Sequence, residues 1–281
     1  MLLYDEEVAE VILGLEDLPR TWGDNDFNDA VFSIKSTPES AIEKDNLTKV
    51  PNVNDSDADG LPDDQDEFPN DYRRTYSSYF PSQNGFVTLA YKDNWPSLGD
   101  YDFNDLVIRE RLRTVYDANC LESGFILDGF IAARGASKSN GFTLRLVDIE
   151  GAQIESATLN INGNSYQKTV ENNQTDAVIS LWSNSQTYTQ TGETGKCSLF
   201  NTNKRCTQFD PVPFSFDVKF TNNQLSLNHS VLDFFIYRTA ERTLEIHMPE
   251  YAPTDWFGSI QLDLEQNKIP LILVSNAISN Q

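Results

Sequence analysis

Five aspartates, Asp55, Asp57, Asp59, Asp63 and Asp66, stand at positions 1, 3, 5, 9 and 12 of a twelve-residue stretch. Gly60 falls at position 6 and Leu61 at position 7. This spacing has a chemistry. A hard divalent cation such as calcium takes about 6–8 oxygen ligands, and short carboxylates at alternate positions wrap it without strain. The glycine permits the sharp turn, and the residue after it offers its main-chain carbonyl. The alternative is a flexible acidic linker, which has no need of the glycine or of the spacing.

A second acidic pattern is written twice. "DNDFND" at 24–29 returns as "DYDFND" at 100–105, 76 positions on. The offset pairs Asp17 with Asp93, Gly23 with Gly99, Asp24 with Asp100, Asp26 with Asp102, Phe27 with Phe103, Asn28 with Asn104, Asp29 with Asp105 and Val31 with Val107. Each copy has an upstream Asp, a glycine turn, and short oxygen-bearing side chains running into a strand. The candidate cation ligands are therefore Asp17, Asp24, Asp26, Asn28 and Asp29 in the first copy. In the second they are Asp93, Asp100, Asp102, Asn104 and Asp105. Asx turns, with each Asp capping backbone N–H groups, are the competing explanation. The repetition favours cations, with two or more calcium ions expected per chain.

The elements that must hold these loops read as β. "GFVTLAYKD", "GFILDGFIAARG", "GFTLRLVDIEG", "FSFDVKFTN" and "LDFFIYRT" are short runs of β-branched and aromatic residues between Gly, Asn, Asp and Pro. "TLRLVDI" and "SFDVKF" alternate with period two, as half-buried strands do. No helical stripe extends over three turns, and "SAIEKDN" offers a single turn. The expected class is all-β: an antiparallel, jelly-roll-like sandwich with calcium-binding loops and little helix. Residues 1–48 form a first segment, separate or packed into the same sandwich. Residues 49–75 form an Asp-rich connector, and 76–281 the main sandwich. Residues 169–206 read as long polar loops or a hairpin excursion.

Composition bounds the function. The chain has 281 residues and 43 acidic against 21 basic side chains, a net charge of −22. That leaves no basic footprint for nucleic acid. No run is apolar and long enough to span a membrane. The opening "MLLYDEEVAEVILGLEDLP" lacks a basic region, so no signal peptide is read in it. Cys197 and Cys206 bracket a short polar loop and are expected to form a local disulfide in an oxidising compartment. Cys120 is then expected to be a small buried hydrophobe. His229 and His247 are too far apart in sequence to form a local pair.

"DSDADGLPDDQDEFPND", "YFPSQNGFVTLAYKDNWPSLGDYDFNDLVI" and "RTLEIHMPEYAPTD" together resemble the LruC-domain family of bacterial surface and secreted proteins, over about residues 55–260. "LEDLPRTWGDNDFNDAVF" resembles the end of a DUF4114 module of exported, calcium-rich proteins. Pro51, Pro62 and Pro69 forbid long flanking helices, so the 55–66 loop resembles thrombospondin type 3 repeats and dockerin loops more than a helix–loop–helix sensor. These resemblances imply export, β-structure, calcium and a cell-surface or matrix setting.

Two functions follow. One is a non-enzymatic extracellular module for adhesion, carbohydrate or peptide binding, or matrix assembly. In that reading its partners are a ligand or neighbouring copies joined by strand addition, and Trp95, Trp182 or Trp256 can offer a stacking face. The other is a secreted glycoside hydrolase using paired carboxylates, with Glu245 or His247 as acid or base. No nucleophile motif supports the second.

Overall fold

The computed structural model describes the chain except residues 7, 20, 23–26, 45, 51–53, 95–101, 223–226, 228, 257–271 and 278–281, with backbone alone for 272–277. The chain divides into two compact units, residues 1–54 and 55–281. Residues 55–75, expected as a connector, thus fold with the second unit.

The first unit is one small sheet of β1 (Leu2–Asp5), β2 (Glu10–Leu15), β3 (Ala30–Ile34) and β4 (Thr48–Lys49), in the order β3-β2-β1-β4. The β1–β2 and β2–β3 pairs are antiparallel, and β4 joins β1 in parallel. Tyr4 and Val11 are its buried apolar residues, and the Tyr4 hydroxyl donates to Glu39 at 2.8 Å. Glu39 opens a single 3-10 turn, Glu39–Ala41, inside the "SAIEKDN" region.

Among the described residues, the second unit has twelve strands. They are β5 (Tyr76–Phe80), β6 (Phe86–Tyr91), β7 (Leu106–Tyr116), β8 (Glu122–Ala133), β9 (Asn140–Leu146) and β10 (Ile154–Ile161). After these come β11 (Asn164–Lys168), β12 (Ala177–Trp182), β13 (Val212–Phe220), β14 (Leu232–Arg238), β15 (Glu241–Ile246) and β16 (Ile272–Ala277). One sheet has the order β11-β10-β13-β8-β7-β6-β16, with β5 pairing β7 off this path. The other has the order β12-β9-β14-β15. Every pairing in this unit is antiparallel. No α-helix occurs among the described residues. The two sheets make the expected antiparallel sandwich.

The core lies between the sheets. Leu89, Ile108, Leu127, Leu159 and Phe216 from the larger sheet join one apolar cluster with Phe142, Leu144, Ile179, Phe234 and Ile236 from the smaller. Phe142 stacks on Phe234 at 5.9 Å and on Trp182 at 5.1 Å, and Trp182 meets Phe214 of the opposite sheet at 5.4 Å. Trp182 is therefore a core residue. Truncating a buried aromatic such as Phe142 to alanine costs about 3–5 kcal/mol.

Strand β13 shows the expected alternation: Phe214, Phe216, Val218 and Phe220 face inward while Ser215, Asp217 and Lys219 are half-buried. Strand β9 departs from it, for all seven of its residues are buried. Its polar positions lie under a covering segment. Arg145 reaches the carbonyls of Ala252 and Pro253 at 2.6 and 3.2 Å, and Thr254 binds Glu245 of β15. Cys120 also departs from expectation. It is exposed, not buried, at the tip of the β7–β8 hairpin, where φ is +64° and its N–H reaches Asp117 O at 3.0 Å. A tight turn puts the side chain in solvent whatever its hydrophobicity.

Candidate metal sites

The loop at 55–66 is organised by its own carboxylates. Asp55 accepts the N–H groups of Ala58 at 2.8 Å and Gly60 at 3.1 Å. Asp57 accepts Asp59 N–H at 3.3 Å, and Asp59 accepts Leu61 N–H at 2.8 Å. Asp63 takes both the N–H and the hydroxyl of Ser56 at 2.7 Å. Asp66 accepts Phe68 N–H at 2.6 Å. Gly60 has φ +101°, a conformation that side chains rarely adopt, so the turn at position 6 needs glycine.

These bonds leave oxygens facing inward. Asp55, Asp57 and Asp59 each offer a carboxylate oxygen within 4.8 Å of the others. Asp57 Oδ2 and Asp66 Oδ2 are buried and accept no hydrogen bond among the described residues. Burial pushes the Asp66 carboxyl above its usual range, and the carboxylates of Asp59, Asp57 and Asp63 push it the same way, against the Phe68 N–H. Three negative side chains, Asp55, Asp57 and Asp59, therefore converge on one small volume, and Asp66 feels the charges of Asp57, Asp59 and Asp63, an arrangement that a divalent cation would neutralise.

The loop is anchored to the larger sheet. Asp59 Oδ2 accepts the Thr75 hydroxyl at 2.7 Å, and Thr75 N–H reaches Tyr116 O at 2.7 Å. Beside Thr75, the buried Arg74 makes a two-pronged pair with Asp217 of β13, at 2.9 and 2.8 Å, and donates to Val218 O at 3.1 Å. Its guanidinium lies 5.7 Å from the Phe68 ring. Asp71 is engaged by Lys219, and Asp64 and Asn70 are exposed.

The doubled motif closes two hairpins of identical register. Leu15 pairs Ala30 and Gly14 pairs Val31 in the first, and Tyr91 pairs Leu106 and Ala90 pairs Val107 in the second. All four pairs keep the 76-residue offset. In the first copy Asp17 N–H donates to Asp29 Oδ2 at 2.8 Å, and in the second Asp93 N–H donates to Asp105 Oδ2 at 2.8 Å. Phe27 and Phe103 both have positive φ, +62° and +45°, uncommon for a bulky residue. Both are half-buried, so neither is a core anchor. Asp24, Asp26 and Asp100 lie outside the described residues.

The copies differ in charge. In the first, Glu16, Asp17 and Asp29 bring carboxylate oxygens within 4.8 Å of one another. In the second, Lys92 stands where the first has Glu16. Its ammonium lies 3.2 Å from Asp102 Oδ1 and 3.0 Å from Asp105 Oδ2, with its side chain only 4% exposed. Asp93 Oδ2 accepts the Asn140 amide at 2.9 Å. Asn104 packs on Gly135, whose N–H reaches the Asn104 carbonyl at 2.7 Å and where a Cβ would lie 2.1 Å from Asn104 Oδ1.

The histidines are held structurally. His247 places Nδ1 2.7 Å from Asp233 and Nε2 2.8 Å from Glu245, and its ring stacks on Phe235 at 4.3 Å. Asp233, Glu245 and His247 are all buried. His229 meets the buried Glu110 at 3.0 Å. Trp256 lies 5.3 Å from the Arg242 guanidinium, and Trp95 is outside the described residues. Cys197 and Cys206 are joined, with Cα atoms 5.4 Å apart.

Fold and site together define an all-β sandwich that carries acidic loops at its strand ends. Residues 123–268, just over half of the chain, match the model of DUF4842, a domain of unknown function, and the chain belongs to that family. Residues 1–37 match DUF4114, also a domain of unknown function. The 55–66 and 93–105 loops lie in neither match. No curated protein matches the sequence. Among solved structures, a Bacteroides ovatus chain described provisionally as a lipoprotein is similar at 17% identity and a TM-score of 0.44. That match covers 61% of this chain and 56% of the other.

Proposed function

We propose that this chain is a non-enzymatic, calcium-binding β-sandwich module of an exported bacterial protein, working at the cell surface or in the matrix in adhesion or assembly. The observation that carries this reading is the 55–66 loop, with its converging carboxylates and the two buried, donor-less oxygens of Asp57 and Asp66. Asp55, Asp57, Asp59 and Asp66 are the ligands, with the Leu61 carbonyl and Asp63 completing the set. The LruC-type resemblance of residues 55–260 agrees with this setting. So does the Cys197–Cys206 disulfide, which belongs in an oxidising compartment.

The ligand in this reading is a carbohydrate or a peptide. A cavity of about 570 Å³ in the loops after β12 is lined by Arg134, Asn184, Gln186, Gln190, Thr191 and Glu193, among others. Hydroxyl and amide groups of this kind exchange hydrogen bonds with sugar hydroxyls. Against the hydrolase reading, both nitrogens of His247 and both oxygens of Glu245 are engaged by neighbours.

Chelation tests the calcium reading. A bound ion stabilises the fold by mass action, and 100-fold excess over Kd corresponds to about 2.7 kcal/mol. EGTA is expected to lower the melting temperature of the full chain by several degrees. Calcium should restore it, and magnesium should do so poorly, since it demands a tighter octahedron and keeps its waters. A melting curve unchanged by thorough chelation rules the reading out. A glycan array run with and without EGTA then tests the ligand.

A further inference from the structure

We propose that Lys92 is a tethered counter-cation: its ammonium occupies the place of a bound ion between Asp102 and Asp105, so that this carboxylate pair needs no metal. The two loops form an internal comparison. They share hairpin register, the Asp N–H to Asp Oδ2 bond, and the left-handed phenylalanine. Against that common frame, the position after the first hairpin strand exchanges an acid, Glu16, for a base, Lys92.

The geometry of Lys92 fits the role. Its ammonium bridges Asp102 and Asp105 at 3.2 and 3.0 Å and is almost wholly out of solvent. An ammonium so buried needs carboxylate partners, and two carboxylates so close need a cation. Each requirement meets the other within one chain. Asp105 Oδ2 serves both Lys92 and Asp93 N–H, so the oxygen that would face an ion is already committed. Asp93 is likewise taken up, its carboxylate by Asn140 and its carbonyl by Arg238 at 3.1 Å. Lys92 follows β6 and Asp105 precedes β7, neighbouring strands of the larger sheet. A tethered cation there holds these two strand ends together whatever the free calcium level.

The inference rests on the calcium reading only in naming the ion that the ammonium replaces. Its test uses the full chain with Lys92→Glu, which restores the acid of the first copy, and Lys92→Met, which keeps bulk and removes charge. Native mass spectrometry at saturating calcium counts ions, and thermal melts are run with EGTA and with calcium. The expected result is one more bound ion per chain in Lys92→Glu than in the wild type. Both variants should melt below the wild type in EGTA, and calcium should raise Lys92→Glu by more than it raises the wild type. An unchanged ion count in a folded Lys92→Glu overturns the proposal. If that variant does not fold, a Lys92→Met melt equal to the wild type in EGTA overturns it, because a merely packed stem would not notice the lost charge. A wild type that binds no calcium at all sinks the calcium reading yet leaves the increment in Lys92→Glu to decide this one.

Discussion

Asp57 and Asp66 each bury a carboxylate oxygen that no donor meets, beside two or three other carboxylates. Removing one of these charges has opposite effects with and without the ion. Asp57→Asn should weaken calcium binding at least tenfold by calorimetry, since a neutral amide oxygen replaces a charged ligand. In EGTA the same variant should be as stable as the wild type or more so, because one source of repulsion is gone. A variant destabilised equally in both conditions would mark Asp57 as a structural cap only.

The His247 cluster sets a pH dependence at the same scale. Burial is the largest single effect on the ring and opposes its charge, but the bonds to Asp233 and Glu245 together outweigh it and raise the His247 pKa. Burial also pushes Glu245 up, and the donors on His247 and Thr254 reverse this to about 2. A raised histidine stabilises fully below its unfolded value of about 6.5 and loses that contribution as pH rises through the folded value. A lowered glutamate stabilises above about 4.5 and loses that contribution as pH falls toward 2. Denaturation midpoints should therefore fall as pH is raised from 6.5 to 9, and less steeply in His247→Gln. An equal slope in both proteins would contradict this assignment. None of it was legible in the sequence, where Asp233 lies 14 residues from His247 and only strand pairing brings them together. The aspartate spacing was legible, because ligand loops are local. Lys92 was passed over in the sequence: its exchange with Glu16 stands beside the motif, but only the structure shows its ammonium between Asp102 and Asp105.

At the scale of elements, the strands announced themselves through β-branched and aromatic runs, and the repeat through its offset. What the sequence hid was which polar faces are covered. Strand β9 alternates like a half-buried strand, yet Thr143 and Arg145 are buried, Arg145 under a segment more than a hundred residues on. The docking of the acidic loop was hidden likewise, since Arg74 and Asp217 are 143 residues apart. That pair predicts a local effect. Arg74→Met leaves Asp217 without its partner and Thr75 poorly held, and should cost about 3 kcal/mol. Hydrogen exchange should then quicken across 59–75 while β9 and β14 stay protected. Uniform loss of protection would mean that the loop is part of the cooperative core instead.

For the whole molecule, a charge of −22 reads against nucleic acid and towards a cation. The division between residues 54 and 55 was less legible. The polar, proline-containing 49–75 stretch reads as one connector, whereas its aspartates are tied through Thr75 to the sandwich. Near the C-terminus, residues 272–277 pair with β6 of the same chain, Ile272 opposite Tyr91. Each unit has an acidic hairpin of the same register, with Glu16 beside Asp17 and Asp29 in the first and Lys92 against Asp102 and Asp105 in the second. The most direct measurement of this account is an anomalous difference map from crystals grown in millimolar calcium. It should show a peak enclosed by the carboxylates of Asp55, Asp57, Asp59 and Asp66, with oxygens about 2.3–2.6 Å away, and none between Asp102 and Asp105. Density at the Lys92 site, or none within the 55–66 loop, would contradict it.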